Sequence, residues 1–189
     1  MRVVAGQYRG RPLRSLRGVD IRPTSDRLRE TLFNVLTAGR PQALAGSVWL
    51  DLFAGTGAVG IEALSRGAHA VYFVESSARA AAVIRENLRG LGVSEGFEIH
   101  GRDVLRALRL LDSHAAAPDY VFLDPPYRKQ ETYDGTLRFI SQSRLLRSVT
   151  VVIAEHEKRF DPGERFGALQ RYRLLQQGDA ALSFYQLSA

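Results

Sequence analysis

Five short apolar runs alternate with stretches of helical periodicity, and that rhythm leaves this chain few folds to choose from. The runs are Val48–Phe53, Val71–Glu75, Phe97–Gly101, Tyr120–Asp124 and Val149–Glu155. Most are apolar almost throughout, which marks strands buried on both faces of a parallel sheet. Between them Ala58–Ser65, Ala78–Leu91, Val104–Leu111 and about Thr132–Ser141 place apolar residues at helical spacing. Strand and helix in strict alternation predict an α/β fold: a mostly parallel, twisted sheet with helices on both faces. Leu169–Leu175 and Ala181–Leu187 alternate in polarity around Gly178-Asp179, so they predict an antiparallel hairpin that closes the sheet edge. A further helix precedes the first strand. Thr24 or Ser25 can cap it, Leu28, Leu32, Val35 and Leu36 share one face, and Gly39 and Pro41 end it.

The 189 residues suit one domain, expected at residues 23–189, preceded by a basic extension or small hairpin at 1–22. There is no cysteine, so disulfides, thiolate zinc sites and cysteine nucleophiles are excluded together. The four histidines, His69, His100, His114 and His156, show no ligand spacing, and no metal is expected. His156 ends a strand beside Glu155, where a packed or solvated role is the simpler reading. No apolar run approaches the ~20 residues of a membrane span, and the N-terminus lacks a signal-peptide core; the expected location is the cytoplasm.

In sheets of this kind ligands bind beyond the C-terminal strand ends, where strand order reverses. The distinctive residues collect there. The first strand runs into Asp51-Leu-Phe-Ala-Gly55-Thr-Gly57-Ala-Val-Gly60. This satisfies the glycine spacing of a dinucleotide loop, but a carboxylate at Asp51 would oppose a pyrophosphate and suits a ligand carrying an ammonium and a sulfonium. Glu75 ends the second strand, placed to accept from both hydroxyls of a ribose. Asp103 follows the third, where it can accept from an adenine amino group, cap the next helix, or do both. The fourth strand ends in Asp124-Pro-Pro-Tyr127. Two prolines stiffen the turn and remove two N–H donors, leaving the Asp124 carboxylate and the Pro125 carbonyl as acceptors. Two acceptors gripping the hydrogens of an exocyclic amine push its nitrogen toward a tetrahedral shape and free its lone pair. Tyr127 supplies a face on which a base can stack.

The net charge of +6 and pI near 10.0 point to a polyanionic partner. Residues 1–30 hold eight arginines against three acids, five of the six net positive charges.

Together these pieces resemble the Rossmann-like class I S-adenosylmethionine-dependent methyltransferases that carry an (Asp/Asn)-Pro-Pro-aromatic motif. The likeness narrows to the RsmD family through Val4-Ala-Gly6-x-Tyr8-Arg-Gly10, Arg22-Pro-Thr-Ser-Asp-Arg27-x-Arg-Glu30-x-Leu-Phe-Asn34, the Asp51–Gly67 stretch and Gly178-Asp-x-Ala-Leu-Ser-Phe-Tyr185. That resemblance implies methyl transfer from S-adenosylmethionine to a guanine N2 amine of 16S ribosomal RNA, with S-adenosylhomocysteine as product. It implies that Asp51, Phe53, Gly55, Gly57, Glu75 and Asp103 hold the cofactor. Asp124, Pro125 and Tyr127 would serve the reaction, with Pro126 and Tyr127 against the base and Arg9, Arg22 and Arg27 on RNA phosphates. The implied partner is the small ribosomal subunit or an assembly intermediate, and the chain is expected to act as a monomer. Three rivals stay open at this point: a DNA adenine-N6 or cytosine-N4 methyltransferase, an NAD-dependent oxidoreductase, and a non-catalytic RNA-binding assembly factor.

Overall fold

The computed structural model describes residues 1–16, 25–114, 116–126 and 130–188. Eight strands form one sheet in the order β3-β2-β1-β4-β5-β8-β7-β6. Strands β1 (Val48–Leu52), β2 (Ala70–Val74), β3 (Phe97–His100), β4 (Tyr120–Leu123) and β5 (Val151–Glu157) are parallel. Strand β8 (Ala180–Leu187) joins β5 antiparallel, followed by β7 (Leu169–Gln177) and the two-residue β6 (Arg165–Phe166). The chain leaves β1 toward β2 on one side and returns to β4 on the other, so the topological switch lies between β1 and β4.

Both faces of the sheet are covered. Trp49, Val71, Phe73, Phe122 and Ile153 pack under α1 (Asp26–Thr37), α2 (Ala58–Ser65) and α3 (Ala78–Leu91). Leu50, Leu52, Val121, Leu123 and Val152 pack under α4 (Val104–Ser113) and α5 (Gln130–Gln142). Alternate residues of one strand thus feed two separate cores, which is why the strands read as continuously apolar. Helix starts follow local capping: the Ser25 hydroxyl accepts from the Leu28 amide at 3.1 Å, and Ser77 from Ala80 at 3.3 Å.

The sequence places β1 to β4 correctly but runs each one residue too far. The ladders stop at Leu52, Val74, His100 and Leu123, which leaves Phe53, Glu75, Gly101 and Asp124 just past the strand ends. Strand β5 is displaced two residues toward the C-terminus, and Val149 is 63% exposed. The C-terminal hairpin turns at Gly178 as expected, but it does not end the sheet. Strand β8 lies inside, and β6, whose two residues carry no pattern, forms the outer edge.

Residues 1–16 double back on themselves around a single antiparallel bridge between Arg2 and Pro12. Val3 and Leu13 are buried in the same core as α1 and α2. The hairpin is fixed by Glu62, fully buried on α2, whose carboxylate accepts the Val4 and Ala5 amides at 2.7 and 2.9 Å. Arg29 of α1, also fully buried, stands 3.6 Å from that carboxylate and donates to the carbonyl of Arg2. The 22/23 boundary falls outside the described residues.

Candidate active site

The three loop glycines do different things. Gly55 (φ +56°) and Gly57 (φ +78°) occupy left-handed backbone, which folds the loop back on itself and starts α2. Gly60 is required by packing, since a Cβ there would lie 2.3 Å from the Phe73 ring. Phe53 is the one described non-glycine residue at positive φ (+59°), a conformation that surrounding structure must impose.

Four carboxyl groups lie at or near the C-terminal ends of the parallel strands beside this loop. Asp51 and Phe73 are register partners, as are Asp51 and Phe122, and Leu123 pairs with Ala154. Strand alternation therefore brings Glu75, Asp51, Asp124 and Glu155 to the face covered by α1 and α2. Asp51 is 2% exposed; its Oδ2 accepts the Gly60 amide at 2.9 Å. Burial pushes its carboxyl up to about 7, and the nearby Glu75 charge adds to the rise. The Glu75 carboxylate accepts the Gly55 amide through Oε2 at 2.8 Å and the Ser77 amide through Oε1 at 2.7 Å. Each oxygen keeps a second lone pair for a ribose hydroxyl. Asp103 caps α4, accepting from Leu105 and Arg106 through Oδ1 at 3.0 and 3.3 Å. Its exposed side chain leaves Oδ2 available.

Asp124 begins the proline turn. Its amide reaches the Leu52 carbonyl at 3.4 Å, which keeps it beside the end of β1. Burial first, then the charges of Glu155 and Asp51, hold its carboxyl well above the usual range. Pro125 is buried and Pro126 exposed. Tyr133 of α5, itself fully buried, lies under this turn. Its hydroxyl donates to the Glu155 carbonyl at 2.7 Å and stands 3.4 Å from the Pro125 carbonyl. Tyr127 lies outside the described residues.

The structure gathers Asp51, Phe53, Gly55, Gly57, Glu75, Asp124 and Pro125 at the C-terminal ends of β1, β2 and β4, with Asp103 just beyond the neighbouring β3. Arg9 and Arg27 are elsewhere. With Arg2, Asp26 and Glu30 they line a depression of about 420 Å³ between the hairpin and α1. Arg22 lies outside the described residues. Sequence reasoning misses Glu155, Tyr133 and Asn87. Asn87, 4% exposed on α3, donates to the Thr56 carbonyl at 3.0 Å and to the Arg14 carbonyl at 3.2 Å, and accepts the Arg14 amide at 2.7 Å. One side chain thereby joins the glycine loop to the N-terminal arm. Glu155 has a signal: it is the acid that follows the apolar run at residues 151–154 inside β5. Its neighbour His156 is packed, bonded to Ser183 at 2.9 Å.

A parallel sheet switching between β1 and β4, a glycine loop after β1 and an Asp-Pro-Pro turn after β4 define the Rossmann-like methyltransferase class. The chain belongs to the RsmD family: the family model described as "Conserved hypothetical protein 95" matches residues 1–186. YlbH of Bacillus subtilis is 32% identical over 186 residues, 98% of either chain. The ribosomal RNA small subunit methyltransferase D of Haemophilus influenzae is 36% identical over 159 residues, 84% of this chain and 79% of its own. Among solved structures, a hypothetical protein of Thermus thermophilus superimposes with a TM-score of 0.83 at 25% identity, covering 99% of each chain.

Proposed function

We propose that this chain transfers a methyl group from S-adenosylmethionine to the exocyclic N2 amine of a guanine in 16S ribosomal RNA, releasing S-adenosylhomocysteine. The observation that carries the reading is the row of carboxyl groups from Glu75 through Asp51 to Asp124, ending at the Pro125 carbonyl. Buried negative charge at Asp51 is costly alone and would be offset by a cationic ligand, which opposes a pyrophosphate and so an NAD-dependent reaction. The donor set fits S-adenosylmethionine: Asp51 and its surroundings for the cationic end, Glu75 for the ribose diol, Asp103 for the adenine amine. A methyltransferase structure solved with S-adenosylhomocysteine bound shares this fold, at 17% identity and a TM-score of 0.68. Relatives carrying the ribosomal small subunit name supply the substrate class.

When bound, the donor supplies an electrophilic methyl on a sulfonium. The residues of this chain do the rest by placement. Asp124 and the Pro125 carbonyl accept the two amine hydrogens, and turn the nitrogen lone pair toward the methyl. Tyr127 stacks on the base, and Pro126 borders it. Alignment of this kind is worth ~7–11 kcal/mol of barrier. Asp124 takes the departing proton once nitrogen is alkylated, with no covalent enzyme intermediate and no metal. Residues 1–22 act as an RNA-facing arm on the methyltransferase domain of 23–189, with Arg9, Arg22 and Arg27 on phosphates. The substrate is the small subunit or its assembly intermediate, and the protein works as a cytoplasmic monomer. Among the described residues no helix is long and apolar enough to cross a membrane.

Mass spectrometry of ribosomal RNA from a deletion strain tests the reading. One N2-methylguanine should vanish from 16S RNA and return with the wild-type gene; unchanged RNA would refute it. Equilibrium binding of labelled S-adenosylmethionine against NADH tests the donor separately.

A further inference from the structure

Glu155 is the one carboxyl of the row that the proposed chemistry leaves unused. Leu123 and Ala154 are register partners across β4 and β5, so the next residues stand level, Asp124 just past the end of β4 and Glu155 still within β5, where it pairs with Leu182 of β8. Phe122 and Ile153, two positions before them, share one core, so both acids belong to the same sheet face. The Tyr133 hydroxyl donates to the Glu155 carbonyl of β5 at 2.7 Å and lies 3.4 Å from the Pro125 carbonyl, so the proline turn sits beside β5 at Glu155. Glu155 is 2% exposed, whereas Asp124 is partly exposed, so Glu155 is the deeper of the pair. The Asp124 carboxyl also feels the Glu155 charge more than that of Asp51.

Base edges differ in what they can offer two adjacent acceptors. Guanine places an N1–H donor beside its N2 amine. Adenine places a bare N1 acceptor beside its N6 amine, and cytosine a bare N3 beside its N4 amine. An acceptor next to a carboxylate oxygen is repelled and left unpaired, and discrimination of this kind reaches several kcal/mol because a buried polar group loses its partner.

We infer that Glu155 is a specificity-determining residue: with Asp124 on the amine, its carboxyl accepts the N1–H of the target base and selects guanine over bases with an unprotonated ring nitrogen beside the amine. This rests on the guanine reading of the preceding section. It turns a motif that adenine and cytosine enzymes could share into one that reads a donor–donor edge.

The test uses small-subunit particles reconstituted with RNA whose mapped target guanine is replaced by 2-aminopurine. That base keeps the amine at carbon 2 but has an acceptor at N1. Wild-type protein should methylate guanine at least 100-fold faster than 2-aminopurine, as kcat/KM under identical conditions. Glu155→Gln presents an amide N–H to N1, so the preference should fall at least tenfold, with 2-aminopurine gaining in absolute rate. Glu155→Ala should lower both rates and flatten the ratio. A ratio unchanged in Glu155→Gln would overturn the inference, because a purely structural role lowers both rates together. A wild-type protein that fails to methylate guanine particles would refute the underlying function instead. Thermal unfolding and S-adenosylmethionine binding of Glu155→Gln, both expected near wild type, separate misfolding from altered selection.

Discussion

The carboxylate of Asp51 accepts the Gly60 amide at 2.9 Å, binding the end of β1 to the first turn of α2 beneath the glycine loop. A single acceptor so placed shapes the loop and sets the charge beneath it, and its protonation links the two.

Burial raises the Asp51 carboxyl to about 7 from 3.8. Between those values the folded chain holds a proton that the unfolded chain has released. Its contribution to stability therefore falls as pH rises from about 4 to about 7, by up to about 1.4 kcal/mol per pH unit. Urea unfolding at pH 5 and pH 8 should show Asp51→Asn with the shallower dependence. S-adenosylmethionine binding runs the other way and should tighten as pH rises through 7, by up to about tenfold per unit. Affinity that weakens over that interval would take the cationic ligand away from Asp51.

On the proposed mechanism Asp124→Ala should abolish turnover with S-adenosylmethionine affinity nearly intact, since the donor's contacts are assigned to Asp51, Glu75 and Asp103. Asp124→Asn keeps an acceptor oxygen and should retain measurable activity. Single-turnover rates with saturating donor distinguish the two. Equal, slight losses in both variants would remove Asp124 from the mechanism.

Asn87 holds Thr56 in the loop and Arg14 in the arm at once. Asn87→Ala leaves buried main-chain groups unpaired and should cost about 2 kcal/mol of stability by urea unfolding. It should also weaken donor binding, although no atom of Asn87 need touch the donor. Gly6→Ala probes the arm alone. A Cβ there would lie 1.9 Å from the Ser65 carbonyl oxygen at φ +81°, so the hairpin must shift. RNA affinity should fall in Gly6→Ala while donor affinity holds.

Arg9 and Arg27 line one depression, and neither forms an ion pair among the described residues. Replacing either by Ala should lower the salt slope of RNA binding by about one unit, nearly independent of sequence. An unchanged slope would show that these side chains do not meet phosphate.

The order of residues alone carries the alternation of strands and helices, the glycine loop, the capping residues and the succession of acids along the chain. These signals are local: apolar periodicity, backbone permissiveness and side-chain capping act within a few residues. Helices α2 and α3 match their periodic patterns end to end. Strand ends, the insertion of β8 beside β5 and the edge strand β6 depend on which ladder a segment joins, and pairing partners are distant in sequence. The same holds for the site. Asp51, Glu75 and Asp124 are legible because each ends an apolar run in a spaced motif. The placing of Glu155 level with Asp124, the support of the proline turn by Tyr133 and the bridge from arm to loop through Asn87 exist only in three dimensions. They arise where parallel register and helix packing bring together residues that no local pattern connects.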